Sequence, residues 1–186
     1  MKQSERVFIF FIGFLIGLLI VSAILTRRAS KKEARIEDPW SVHSASAEEA
    51  NAEKLPESIE ASILLGKVLS FGYLPNATDP KERVWILNFR DSYPYVRVVE
   101  TLQGGSVTYM AADQIVVRLK EDVDVTEISP VLEKLGLRVR NFNRKHSVVV
   151  LSVLNTDLDA VPKTIEALES WSDLYDSVAP DYLKFK

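Results

Sequence analysis

Residues 114–136 read QIVVRLKEDVDVTEISPVLEKLG, and the change of apolar period within them decides the fold. Gln114 to Lys120 has the composition of a strand, whereas Ile128, Val131, Leu132 and Leu135 recur at steps of three and four and share one helix face. Asp124 and Glu127 stand at capping-box spacing, Pro130 falls where a missing N–H costs least, and Gly136 stops the run. A helix is therefore expected over 124–136.

Downstream, Leu137 to Phe142 and His146 to Leu154 read as two strands joined at Asn143-Arg144-Lys145. The unbroken run Val148, Val149, Val150, Leu151 suggests a central strand covered on both faces. A second helix is expected from Thr156, with Asp159 completing another capping box and Leu158, Val161, Ile165, Leu168 and Trp171 on one side. Leu174 to Val178 and Pro180 to Phe185 supply a closing strand and tail. The order β, α, β, β, α, β predicts an α+β fold of the ferredoxin-like kind, a four-stranded antiparallel sheet with two helices on one face.

Upstream, Gly66 to Asp79 reads as a short strand and a turn at Pro75-Asn76. Arg83 to Arg90 and Tyr95 to Leu102 are strand-like runs flanking Asp91-Ser92-Tyr93-Pro94, a β-hairpin whose Trp85, Tyr93 and Tyr95 would seal a sheet edge. Gly104-Gly105 turns the chain into Ser106 to Met110. Residues 59–110 are thus expected to form a β-hairpin subdomain, and 111–186 the ferredoxin-like domain.

The stretch from Met110-Ala-Ala-Asp-Gln-Ile-Val-Val-Arg-Leu119 to Val178-Ala-Pro-Asp-Tyr-Leu-Lys-Phe-Lys186 resembles the N-terminal prodomain of subtilisin-like serine proteases, without the protease domain. The likeness covers about residues 85–186 and is carried by the pattern of strands and helices. It implies a domain that assists the folding of such a protease and then inhibits it. In that family the C-terminal peptide lies in the active-site cleft as an added strand. By position, Tyr182, Leu183, Lys184, Phe185 and Lys186 would be that segment, Leu183 filling an apolar pocket and Lys186 the specificity pocket. The alternative is a tail that finishes the sheet, with Phe185 packed on Trp171 or on the hairpin.

Val7 to Leu25 carries no charged residue over 19 positions, enough to span a bilayer as a helix. Lys2 and Arg6 before it and Val21-Ser22-Ala23 near its end also fit a cleaved signal peptide. The run continues through Ile24 and Leu25 into Arg27, Arg28, Lys31 and Lys32, which favours an anchor after a short flank at 1–6. A single-pass protein of a bacterial inner membrane follows, with the bilayer as a partner. The flanking cations place the C-terminal domain in the cytoplasm, whereas the protease resemblance places it outside. Gly13 and Gly17 form a G-x-x-x-G through which two copies could pair. Residues 26–58, rich in Ala, Ser and Glu, read as a polar tether in which Trp40 either meets the membrane interface or is mobile and exposed.

Residues 36–186 hold 16 Lys and Arg against 24 Asp and Glu, a net charge of −8, so nucleic acid is not an expected partner. Without cysteine there is neither a disulfide nor a thiolate. Only His43 and His146 could serve as imidazole bases, and neither lies in a nucleophile motif, so the chain is not read as an enzyme. Asp113, Glu121, Asp122, Asp124 and Glu127 cluster without the glycine turn of a calcium loop and read as helix-start charge; no metal or cofactor is expected. Arg138 and Arg140, two residues apart on one strand, form with Arg144 and Lys145 a basic strip suited to an acidic partner or to protecting an edge.

Two functions meet these observations. One is a membrane-anchored, non-catalytic binding protein acting on a subtilisin-like protease in trans, as inhibitor or folding assistant. The other is a tethered interaction or scaffold module of a cell-envelope complex with no protease partner.

Overall fold

The computed structural model describes residues 38–46, 63–89 and 95–184, together with Gly17, Val21, Ser22, Leu55, Pro56 and Ile59. The chain divides into two compact units, Met1–Glu37 and Asp38–Lys186. In the first, Gly17, Val21 and Ser22 are helical and exposed; Gly13 and most of 7–25 lie outside the described residues. A spanning helix needs about 20 residues. Among the described residues no helix is long and apolar enough to cross a membrane, and the longest has nine residues. The single-pass anchor and the localisation built on it are corrected accordingly.

The second unit is one seven-stranded antiparallel sheet. Its strands are β1 (Lys67–Leu74), β2 (Glu82–Asn88), β3 (Tyr95–Thr101), β4 (Val107–Leu119), β5 (Arg138–Asn143), β6 (Val148–Ser152) and β7 (Tyr175–Tyr182). They lie in the order β1-β2-β3-β4-β6-β5, with β7 paired to β4 off this path. Among the described residues of this unit three α-helices accompany them, α1 (Pro39–Ser46), α2 (Ser129–Leu135) and α3 (Ala160–Leu168), with short 3-10 turns at Ile63–Leu65 and Glu169–Trp171.

This architecture corrects the expected ferredoxin-like domain with a separate hairpin. The reason is β4. Ser106 to Met110 and Gln114 to Lys120 were expected as separate runs, but Val107–Leu119 is one strand of 13 residues. Met110 stands between Arg97 of β3 and Tyr182 of β7, while Ile115 to Arg118 stand between β6 and β7. The hairpin and the later strands therefore share a single hydrogen-bonded sheet. Register irregularities between Met110 and Ile115, and in β5 between Val139 and Asn141, bend the strands where the two parts meet.

The two helices expected from the sequence, α2 and α3, both start later than expected. Asp124 N–H donates to Glu127 Oε1 at 2.8 Å, so half of the box forms, around a turn that precedes α2, while the Asp124 carboxylate accepts from Thr126 instead of Glu127. Pro130 then occupies the first turn of α2, and Gly136 ends it at φ 64°, a left-handed conformation that glycine adopts without a Cβ penalty. Thr156 caps nothing: α3 begins after Asp159, whose carboxylate makes no capping bond and pairs with Lys163 at 2.8 Å instead.

Burial explains the layering. Val117, Leu119, Val149 and Leu151 point to one face, where Ile128, Val131, Val161 and Leu168 of the α2 and α3 region cover them. In β2, alternation sends Val84 and Ile86 to that face and Trp85 and Leu87 to the other, yet all four are at most 1% exposed. Trp85 and Leu87 are covered by Leu55, Ile59 and Ile63. Each such side chain contributes about 1.5–3 kcal/mol through removal from water. Trp85 and Tyr95, expected at a sheet edge, are instead core residues.

Trp40 changes the reading of the segment that holds it. It is 2% exposed, stacks 4.8 Å from Tyr95, and donates its indole N–H to the Val153 carbonyl at 2.7 Å. Pro39 starts α1 on the helix face of the sheet, inside the stretch expected to be a polar tether.

Candidate binding face and polar seam

The pairing register sorts the side chains of β4, β6 and β7 into two sets. Val117 is opposite Val149 and Val178, all packed in the core under the helices. The adjacent row, Val116 with Val150 and Ala179, must therefore point the other way. These three and Val148 are half-buried, belong to none of the three hydrophobic clusters, and are flanked by exposed Arg118 and Asn141. Val148 to Leu151, expected as a doubly covered strand, alternates between half-buried and buried.

One end of the row is closed by a polar seam. Arg140 is the extra residue at the β5 irregularity, so the period of two that grouped it with Arg138 breaks there. Its Nη1 pairs with Asp113 Oδ2 at 2.8 Å and also donates to Gln114 Oε1. Gln114 Nε2 in turn donates to Asp181 Oδ2. Four polar side chains thus link β5, β4 and β7. Asp113 is 4% exposed and Gln114 6%, an expensive burial that these bonds offset. Burial pushes the Asp113 carboxyl above its ordinary pKa, and Arg140 opposes that rise. Arg138 lies opposite Ser152 and is exposed.

The tail divides. Tyr182 is 59% exposed. Leu183 packs against the second cluster, the one that contains Trp85 and Val98, and its N–H donates to the Tyr109 carbonyl at 2.9 Å. Lys184 is exposed; Phe185 and Lys186, and with them the packing expected on Trp171, lie outside the described residues.

The other candidates for chemistry remain dispersed. His43 sits on α1, edge-on to Trp40, with Nε2 3.4 Å from Ser70 Oγ, beyond ordinary base-to-nucleophile reach. His146 is exposed. Among the described residues no group of three or more His, Asp or Glu is placed to hold a metal ion. Asp124 accepts from the Thr126 N–H and hydroxyl, which hold its carboxyl below the ordinary range.

Sequence reasoning missed Asp113 and Gln114 as partners of Arg140, and Trp40 as a core residue. The available signal was the interruption of an apolar strand by Asp113-Gln114, an anomaly that points to a bulge or a buried polar link. The chain matches no family model, no curated protein and no solved structure.

Proposed function

We propose that this chain is a non-catalytic protein-binding module that engages a subtilisin-like protease in trans, as inhibitor or folding assistant. The observation that carries the reading is the half-buried row Val116, Val148, Val150 and Ala179 on the sheet face away from the helices, which among the described residues belongs to none of the hydrophobic clusters. It offers an apolar strip, with Arg118 and Arg138 at its margins suited to an acidic surface. The likeness to subtilase prodomains supplies the class of partner.

The packing of Leu183 favours a second reading, an interaction module without a protease partner. To lie in a protease cleft, Leu183 would have to leave the cluster it shares with Trp85, and a module that binds by its face alone has no such requirement.

Inhibition of secreted subtilisin-like proteases by the full chain separates the two. Under the first reading the chain inhibits, and Val150→Lys, which puts a charge in the apolar strip, weakens inhibition about tenfold or more. Loss of inhibition on removing Leu183 to Lys186 assigns the cleft role to the tail. Absence of binding to any such protease by the intact chain discards the protease reading.

A further inference from the structure

Arg97 of β3 is charged and 5% exposed, yet among the described residues it has no carboxylate partner. Its Nε donates to the Leu158 carbonyl at 2.9 Å and its Nη1 contacts Met110 Sδ, a weak acceptor, at 3.4 Å. Nη2 has no acceptor among the described residues. A guanidinium presents a planar fork matched to a carboxylate, so this one is half used.

The free edge belongs to a cavity. Arg97 and Met110 line a pocket of about 350 Å³ between the sheet and α3, walled by Val161, Ile165 and Pro180. Glu82, Glu166 and Glu169 line the same space, and among the described residues none of the three is in an ion pair. A second cavity of about 330 Å³ shares Glu82, Pro162 and Glu166 with the first and adds Lys81 and the Asp159–Lys163 ion pair, so the charge balance of one guanidinium against three carboxylates is that of the first cavity. The volume is that of ordinary small-molecule sites.

Charge selects the ligand. A simple anion is drawn to Arg97 but repelled by three carboxylates, and a simple cation meets the reverse. A molecule with a carboxylate at one end, an ammonium at the other and an apolar body satisfies all three linings. We propose that this pocket binds an apolar α-amino acid or short peptide as a zwitterion, its carboxylate on Arg97, its ammonium toward Glu166 and Glu169, and its side chain on Val161, Ile165 and Met110. This site lies apart from the row containing Val150 and does not rest on the protease reading.

Calorimetric titration of the full chain with L-leucine, L-leucyl-L-leucine, L-leucinamide and N-acetyl-L-leucine tests it. A zwitterion should bind, with the amide and the acetylated form at least about tenfold weaker, the usual loss when one charged contact is removed. Tighter binding of the dipeptide assigns a peptide ligand; tighter binding of leucine assigns the free amino acid. Arg97→Lys, which keeps the charge but loses the fork, should weaken the zwitterion about tenfold. Should that variant not fold, the double variant Glu166→Gln, Glu169→Gln, at exposed positions, decides: it should weaken the zwitterion and leave N-acetyl-L-leucine no weaker, since two repelling carboxylates are gone. Equal binding of all four probes, no binding by any, or indifference to the glutamine pair overturns the proposal.

Discussion

The strands β2 and β3 and the strands β5 and β7 belong to one sheet but live in different surroundings. Every residue from Val84 to Leu87 and from Tyr95 to Val99 is buried, because the helix side covers one face there and Leu55, Ile59 and Ile63 the other. In β5 no residue is fully buried, and in β7 none is either. Nearly all side chains of the doubly covered half serve the core; Arg97, which lines the pocket under α3, is the exception. The half covered on one side keeps a row of valines and a set of arginines that folding has not consumed, and a binding function belongs there.

The comparison breaks most visibly at Trp85. Trp85→Ala removes a fully buried ring that lies 5.2 Å from Phe71 and under the Arg83 guanidinium, and should cost about 3–5 kcal/mol in urea unfolding of the full chain. Val150→Lys, in the singly covered half, should by contrast shift stability far less than it shifts binding. A loss at Val150 as large as at Trp85 would show that the valine row is covered after all.

Trp40 sets a middle scale. Trp40→Phe keeps most of the apolar contact but removes the donor to the Val153 carbonyl, leaving a buried acceptor unmatched, and should cost about 1–3 kcal/mol. Intrinsic tryptophan fluorescence should also shift to the blue on folding in the parent chain. A fully solvent-like emission from position 40, read in a chain that keeps Trp40 as its sole tryptophan, would remove α1 from the core.

The smallest effect is one of pH. Burial raises the Asp113 carboxyl above its unfolded value of about 3.9, so the folded state holds that proton to higher pH than the unfolded one. Between the two values the native state binds more protons, and stability attributable to this group falls as pH rises, the opposite of an ordinary salt-bridged carboxylate. Asp113→Asn should flatten that part of the profile, which begins near pH 4, in denaturation measured at stepped pH. An unchanged slope in the variant would mean that Arg140 fully compensates the burial.

How much of this was legible varies by region, for physical reasons. The hairpin of β2 and β3 was readable because alternation and a Pro-containing turn are local signals; observed Glu82–Asn88 and Tyr95–Thr101 lie within a residue or two of expectation. The joining of β4 was not, because Asp113 and Gln114 look like a break until Arg140 and Asp181, distant in sequence, are seen to satisfy them. Thr156 and Asp159 have the spacing of a capping box, but the box competes with local turns: Asn155 Oδ1 accepts from the Asp157 N–H, and Asp159 turns to Lys163. Trp40 stood alone in a polar stretch, with no periodicity to reveal that one ring anchors a helix. Within the candidate sites, Arg138 and Arg140 were singled out by charge, whereas Arg97 was hidden in an alternating strand because only burial distinguishes it.

The two-sided pairing of β4 also orders the assembly of the sheet in time. The side-chain link from Arg97 to Met110 spans 13 residues of chain, whereas that from Gln114 to Asp181 spans 67. Closing the shorter loop costs less entropy, so β3 can hold the first half of β4 while its second half still lacks β6 and β7. Until then the segment Ile115 to Leu119 is an apolar ribbon with unmet backbone groups, the kind of template on which chains pair with one another. Asp113 and Gln114 sit at its threshold, and the partners that satisfy them in the folded chain, Arg140 and Asp181, come from the strands β5 and β7 that are still to be added.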